Sequence, residues 1–147
     1  VQTEPKYYDA FMQLGVLYTK KKDPLALQYF DNAIKVDSMN HEAHYAKAMY
    51  FQSQNKYAEA KEVFKSAIRT DRNYAEGHYN IGWMLLQQDS TEKAKREFER
   101  VIAIDQTNAR AYYNRGLCNE ILTDYKQAAA DYEQAIVFDA ELSCEPD

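Results

Sequence analysis

Residues 75–108 read AEGHYNIGWMLLQQDSTEKAKREFERVIAIDQTN, and this stretch decides the fold. From Ala75 to Gln88 apolar residues recur at i, i+3, i+4 and i+7. From Glu92 to Ile104 the same spacing returns with Ala94, Phe98, Val101 and Ile102. Ser90, between the two, is a helix-capping residue type, as is Asn108 at the end of the stretch. The spacing predicts two helices joined by a turn, with no strand-like alternation.

The same pattern recurs with a period of 34 residues, so that Glu42–Tyr50, Glu76–Met84 and Arg110–Cys118 align. Phe30, Phe64, Phe98 and Tyr132 hold that spacing. So do Ala26, Ala60, Ala94 and Ala128; Ala33, Ala67, Val101 and Ala135; and Asp37, Asp71, Asp105 and Asp139. The units run 8–40, 41–74, 75–108 and 109–142, with a lead-in at 1–7 and an acidic tail at 143–147. Each is expected to form a helix pair, and no unit can bury both of its faces alone, so neighbours must stack. Gly15, Gly82 and Gly116 fall mid-helix, with Ala48 in their register. Glycine there weakens a helix by about 1 kcal/mol relative to alanine, so its recurrence predicts a close helix crossing. The alanines of the second helices are the expected facing surface, and the recurring aromatics the expected wedges between units.

Composition fits this reading. The chain has 147 residues, of which 46% are apolar and 28% charged, with only 4 glycines and 3 prolines. So few breakers exclude a loop-rich β-sandwich, a collagen-like chain and a low-complexity linker. There are 18 Lys+Arg against 23 Asp+Glu, a net charge of −5, and no basic stripe of the kind that displaces counterions from phosphates, so no nucleic-acid partner is expected. Lys20, Lys21 and Lys22 form a single basic cluster, read as a solvated turn. No apolar run approaches the roughly 20 residues of a membrane-spanning helix. The chain starts at Val1 without a leader pattern, the expectation being a processed protein or a fragment. Cys118 and Cys144 are expected as free thiols.

These residues resemble the tetratricopeptide repeat family, whose first helix carries a bulky residue, Leu-Gly and an aromatic, and whose second carries Ala, Phe and Ala. Phe11, Leu14-Gly15 and Tyr18 with Ala26, Phe30 and Ala33 follow the pattern, as do Ile81-Gly82 and Leu85 with Ala94, Phe98 and Val101. The resemblance covers residues 8–142 and implies an all-α, right-handed α-solenoid of four helix-turn-helix repeats, about eight antiparallel helices. Some positions depart from it. The first unit is one residue short around Asp23-Pro24, which predicts a tighter turn. Lys47 and Arg115 stand where Leu14 and Ile81 stand in their own units, their stems expected to cover apolar surface while the charge reaches water. Arg115 and Asn119 lie four apart on one face of the fourth unit, which implies looser packing or a polar partner.

No catalytic motif is present: there is no phosphate-binding glycine loop, HExxH or GxSxG. His41 and His44 share a helical face without further ligands for a metal, and His44 and His78 occupy a packing register. A non-catalytic chain without cofactor or metal is expected.

In this family the first helices line an inner, concave wall. By spacing, the inward residues form two ladders: Met12, Tyr45, Tyr79 and Tyr113, and Val16, Met49, Trp83 and Leu117. Asn80 and Asn114 stand beside them and can bond the backbone of an extended peptide. An apolar stripe on a polar wall is a candidate groove for a partner peptide or helix. Some chaperone-associated members clamp a C-terminal carboxylate, but only Asn80 and Arg110 occupy suitable registers here, so no clamp for an acidic tail is expected. The alternatives are self-association through the last helix, where Tyr132, Ile136, Val137 and Phe138 present an apolar end, or service as the interaction domain of a larger multi-domain protein.

Overall fold

The computed structural model describes residues 5–143, with side chains described for 7–139. Cys144 and the rest of the tail beyond Ser143 lie outside the described residues, as do residues 1–4 of the lead-in. The described residues form eight helices and no strands. They are α1 (Pro5–Lys20), α2 (Leu25–Val36), α3 (His41–Ser53), α4 (Tyr57–Thr70), α5 (Ala75–Gln87), α6 (Thr91–Ile104), α7 (Ala109–Ile121) and α8 (Tyr125–Ser143). They group into two compact units, one ending at Tyr74 and one beginning at Ala75.

In the first unit α1 packs on α2, α3 on α4, and α2 and α1 on α3. Its core joins Tyr8, Met12, Phe30, Ala43 and Tyr50, with Phe30 1% exposed. Burying one such aromatic stabilises by about 1.5–3 kcal/mol. In the second unit α5 packs on α6, α7 on α8, and α6 and α5 on α7, around Phe98, Val101, Met84 and Cys118.

The glycine crossings are corrected in one respect. Gly15, Gly82 and Gly116 each face the aromatic ring of their own unit's second helix rather than an alanine, so the ring is a wedge within the unit. A Cβ on Gly116 would lie 2.7 Å from Tyr132 Cε1, one on Gly82 3.0 Å from Phe98 Cε1, and one on Gly15 would run into the Phe30 ring. Both partners are needed, because the ring fills the volume that the glycine leaves.

Turns take a different solution. Lys22, Asn55, Asp89 and Thr123 have φ of 57°, 60°, 59° and 64°, although none is glycine. The next residue's N–H then bonds five residues back: Asp23 to Tyr18, Lys56 to Phe51, Ser90 to Leu85 and Asp124 to Asn119, at 2.8–2.9 Å. This is a helix-terminating Schellman geometry, which glycine usually supplies. The short first unit keeps that turn. Its missing residue comes out of the start of α2, where Ala26 and Leu27 bond to Asp23 and Pro24 only three residues back. Asn108 caps α7 by accepting from the Ala111 N–H, whereas Ser90 makes no side-chain cap bond.

His44 is 6% exposed, as a packing residue. His78 does more than pack: its Nδ1 lies 2.8 Å from Glu97, so it ties α5 to α6. Lys47 does not release its charge to water but reaches Asp31 at 2.7 Å, joining α3 to α2.

Gly15→Ala and Gly116→Ala should each destabilise by about 1–3 kcal/mol through overpacking, with Gly82→Ala milder, as read by urea unfolding. Phe30→Leu should recover part of the Gly15→Ala loss. For His44, burial holds the ring pKa below its ordinary 6.5. The unfolded chain therefore binds the proton first as pH falls, and the neutral ring's stabilisation is lost from about pH 6.5 downward. Replacing it by His44→Asn should flatten the fall in stability between about pH 7 and pH 5.

Candidate functional site

The second unit carries an open cleft of about 760 Å³. Its residues come from three helices: Tyr79 and Trp83 of α5; Ala109, Arg110, Tyr113, Asn114, Leu117 and Glu120 of α7; Tyr132, Ala135, Ile136 and Asp139 of α8. They meet because i and i+4 positions on a helix stand one above the other. Tyr79 and Trp83 are such a pair, and so are Tyr113 and Leu117, Arg110 and Asn114, and Tyr132 and Ile136.

One rim is built from polar contacts. The Arg110 guanidinium sits 4.5 Å from the Tyr79 ring centre and donates to Glu76 at 2.9 Å. The Asn114 amide donates to the Tyr79 hydroxyl at 3.1 Å and to the Arg110 carbonyl at 2.8 Å. The Tyr132 hydroxyl donates to Glu120 at 2.6 Å, and burial, with that bond beside it, pushes its pKa well up. The floor and the remaining wall are apolar, and Tyr113 is 52% and Ile136 68% exposed. A lining of apolar and aromatic side chains with Arg110, Glu120 and Asp139 among them suits an amphipathic segment.

Below the cleft, α8 is held to α7 by a buried carboxylate. Asp131 is 1% exposed and accepts from Arg115 Nε and Nη2, from Asn119 and from Gln127, at 2.7–3.2 Å. This is the polar partner that the Arg115–Asn119 pair implies. The charge of Arg115 is neutralised inside rather than carried to water, and its hydrogen bonds to Asp131 raise its pKa further. Beside it the Cys118 thiol is buried and pushed up to about 11, which makes it inert as a nucleophile near neutral pH. Among the described residues no three His, Cys, Asp or Glu side chains gather as a metal site would need.

The ladder residues are placed unevenly. In the first unit Met12 is 7% exposed and belongs to the core, so it is not open to a ligand. Its register mate Tyr45 is exposed and lays its ring edge-on to Phe64 at 6.1 Å. Val16 is 43% exposed and Met49 half-buried. In the second unit Tyr79 and Tyr113 lie 5.7 Å from Phe98 and Tyr132, so each also braces the wedge ring of its repeat. Asn80 is buried, and its amide donates to the Glu76 carbonyl. Asn114 is buried too, its amide committed within the rim. Trp83 and Leu117 are half-buried on the cleft.

Two residue sets that sequence spacing treats as separate surfaces thus share one cleft: Tyr132 and Ile136 of the last helix stand beside Tyr79, Trp83, Tyr113 and Leu117. Val137 is 50% exposed but does not line it, and Phe138 packs on Tyr112 at 5.4 Å. The cleft's ionic residues are Arg110, Glu120 and Asp139. Of their counterparts 34 residues earlier, Glu76, Leu86 and Asp105, only Asp105 is the same residue type, so the period does not single them out as a group.

Residues 2–144 match the family model described as the tetratricopeptide repeat protein 21 C-terminal ARM domain. A crystal structure of MamA superposes with a TM-score of 0.81 at 21% identity, over 97% of this chain and 84% of that one. The pilF protein of Pseudomonas aeruginosa gives 0.74 at 24% identity, over 91% and 62%. The second tetratricopeptide repeat domain of Spaghetti (RPAP3), solved with the HSP90 peptide SRMEEVD, gives 0.63 at 22%, over 65% and 89%. These likenesses show the fold, an all-α tetratricopeptide-type helical repeat. No curated protein matches the chain.

Removing the buried carboxylate tests the platform under the cleft. The substitution Asp131→Ala should destabilise by about 3 kcal/mol or more, because it leaves Arg115 and Asn119 unpaired. Pairing it with Arg115→Met should recover much of the loss, as read by urea unfolding.

Proposed function

The chain belongs to the family of the tetratricopeptide repeat protein 21 C-terminal ARM domain, and from that premise we propose that it is a non-catalytic interaction scaffold that holds a partner helix or peptide against α5, α7 and α8. The observation that carries this reading is the cleft itself, whose lining combines apolar and aromatic side chains with Arg110, Glu120 and Asp139. Aromatic residues and arginine are enriched at protein interfaces, and the cleft holds Tyr79, Trp83, Tyr113, Tyr132 and Arg110 together. The fold resemblance to a domain solved with a bound peptide supports the class of function. It does not extend to that peptide's acidic chemistry. Among the described residues Arg110 is the one cation lining the cleft, it is already paired with Glu76, and two carboxylates line the same space. An apolar-anchored helix suits this lining better than an acidic tail.

Nothing in the cleft supports catalysis. The thiol of Cys118 is buried, and the Tyr132 hydroxyl is held by Glu120 with its pKa raised.

Trp83 is the chain's single tryptophan, so its fluorescence reports on the cleft directly. Partner binding should shift its emission and protect it from a neutral quencher. The Trp83→Ala variant should lose about 2 kcal/mol of affinity for partners captured by the wild type, with a smaller change in unfolding free energy. Partners retained at full affinity by a Trp83→Ala, Tyr79→Ala double variant would overturn the reading.

A further inference from the structure

The fourth residue of α3, α5 and α7 is His44, His78 and Tyr112, one register of the repeat. Each ring is held by its own contact. The Tyr112 hydroxyl donates at 3.1 Å to the carbonyl of Gln106, in the link before α7. His44 bonds the backbone of Ser38, which stands two periods before Gln106, in the link before α3. That bond favours a protonated nitrogen, so the acceptor is again the carbonyl. His78 instead sets Nδ1 2.8 Å from Glu97 of α6, and Arg100 donates to the other oxygen of that carboxylate at 2.7 Å.

The two histidines therefore differ in what a second proton meets. A carbonyl only accepts, so the His44 nitrogen facing Ser38 carries the neutral ring's proton. Nε2 of His44 is buried without a hydrogen-bond partner among the described residues, which makes Nδ1 the donor and leaves Nε2 to take the second proton. The surroundings offer that proton no acceptor. From α2 comes Asp31, already paired with Lys47 at 2.7 Å. The ring's own helix brings His41 and Lys47, and both disfavour a positive ring. From α4 come Val63 and Ser66 at the places where α6 has Glu97 and Arg100, while Glu59, one turn before Val63, is exposed. From α1 come Tyr8 and Met12 in the adjoining core, and Tyr8 stays uncharged below its raised pKa of about 12. A buried cation without an acceptor is costly, so the packing yields in its place. Burial is the main cause that keeps His44 below its ordinary 6.5.

We propose that His44 is an acid-sensitive latch of the first unit: a second proton on Nε2 releases α3 from the link and from α2, whereas in the second unit Glu97 receives a charged His78 and α5 stays closed. An opened His44 is the better base, so the closed first unit loses stability as pH falls through about 6.5. Tyr45 and Met49 follow His44 on α3. Mild acid thus remodels the inner wall of the first unit and leaves the cleft of the second unit standing.

Ring nitrogen-15 shifts of the 147-residue chain at pH 7.5 test the resting state. They should place the His44 proton on Nδ1, and a proton on Nε2 would overturn the proposal. Amide hydrogen exchange at pH 7 and pH 5, corrected for intrinsic rates, tests the release. Opening of α3 should rise at least about fivefold, and that of α5 and α6 less than about twofold. His44→Gln keeps a donor for Ser38 without a titrating ring and should remove the rise. His44→Tyr, which installs the residue of that register in α7, should remove it too and serves where the glutamine variant does not fold. Glu97→Val gives α6 the residue of α4 and should bring an acid-dependent rise to α5. No rise in the wild type, an equal rise in both units, a rise that survives in the His44 variants, or an α5 unmoved by Glu97→Val would each overturn the latch.

Discussion

An aromatic ring seated on a residue without a bulky side chain is the contact on which the rest of this structure depends. Phe30 lies on Gly15, Phe98 on Gly82 and Tyr132 on Gly116. Each glycine costs its helix some intrinsic stability, and the buried ring more than offsets it. The contact sets how closely the two helices of a repeat approach. Tyr79 and Tyr113 of the first helices also brace Phe98 and Tyr132, and Tyr45 braces Phe64, the ring in the same register of the second repeat. Residues that could serve a ligand are thereby part of the scaffold, which gives them fixed positions and limits how far they can move to meet a partner.

The fourth repeat modifies this plan with charge. Arg115 and Asn119 replace apolar residues of the register and would be costly beneath a helix without a partner. Asp131 supplies one, accepting from both and from Gln127 while almost wholly buried. Such a network specifies one arrangement of α7 on α8, because the bidentate geometry of a guanidinium on a carboxylate tolerates little displacement. The seat formed by these two helices is consequently rigid, as a preorganised binding surface needs to be.

The period of 34 residues links fold to function in a second way. A repeat that receives the next helix on one side and docks on the previous one by the other carries two complementary faces by construction.

The sequence by itself determined the helix pairs, their period, the glycine crossings and the family, because 3.6-residue spacing and recurrence at fixed offsets are local properties of the chain. It also located Trp83, Leu117, Tyr113 and Ile136 as candidate surface residues, though on two separate faces. Only the tertiary structure decided what each meets. Met12 and Asn80 share the spacing of exposed residues yet are buried or committed, since exposure depends on the neighbouring helix and not on the residue's own. The turns hid from the sequence because Lys22, Asn55, Asp89 and Thr123 adopt a left-handed backbone without the glycine that usually signals it. Asp131 could not be assigned to Arg115 from spacing, because the two sit on different helices and their pairing depends on how those helices cross. The cleft is legible only once α5, α7 and α8 have met, for it is the space that three packed elements leave between them.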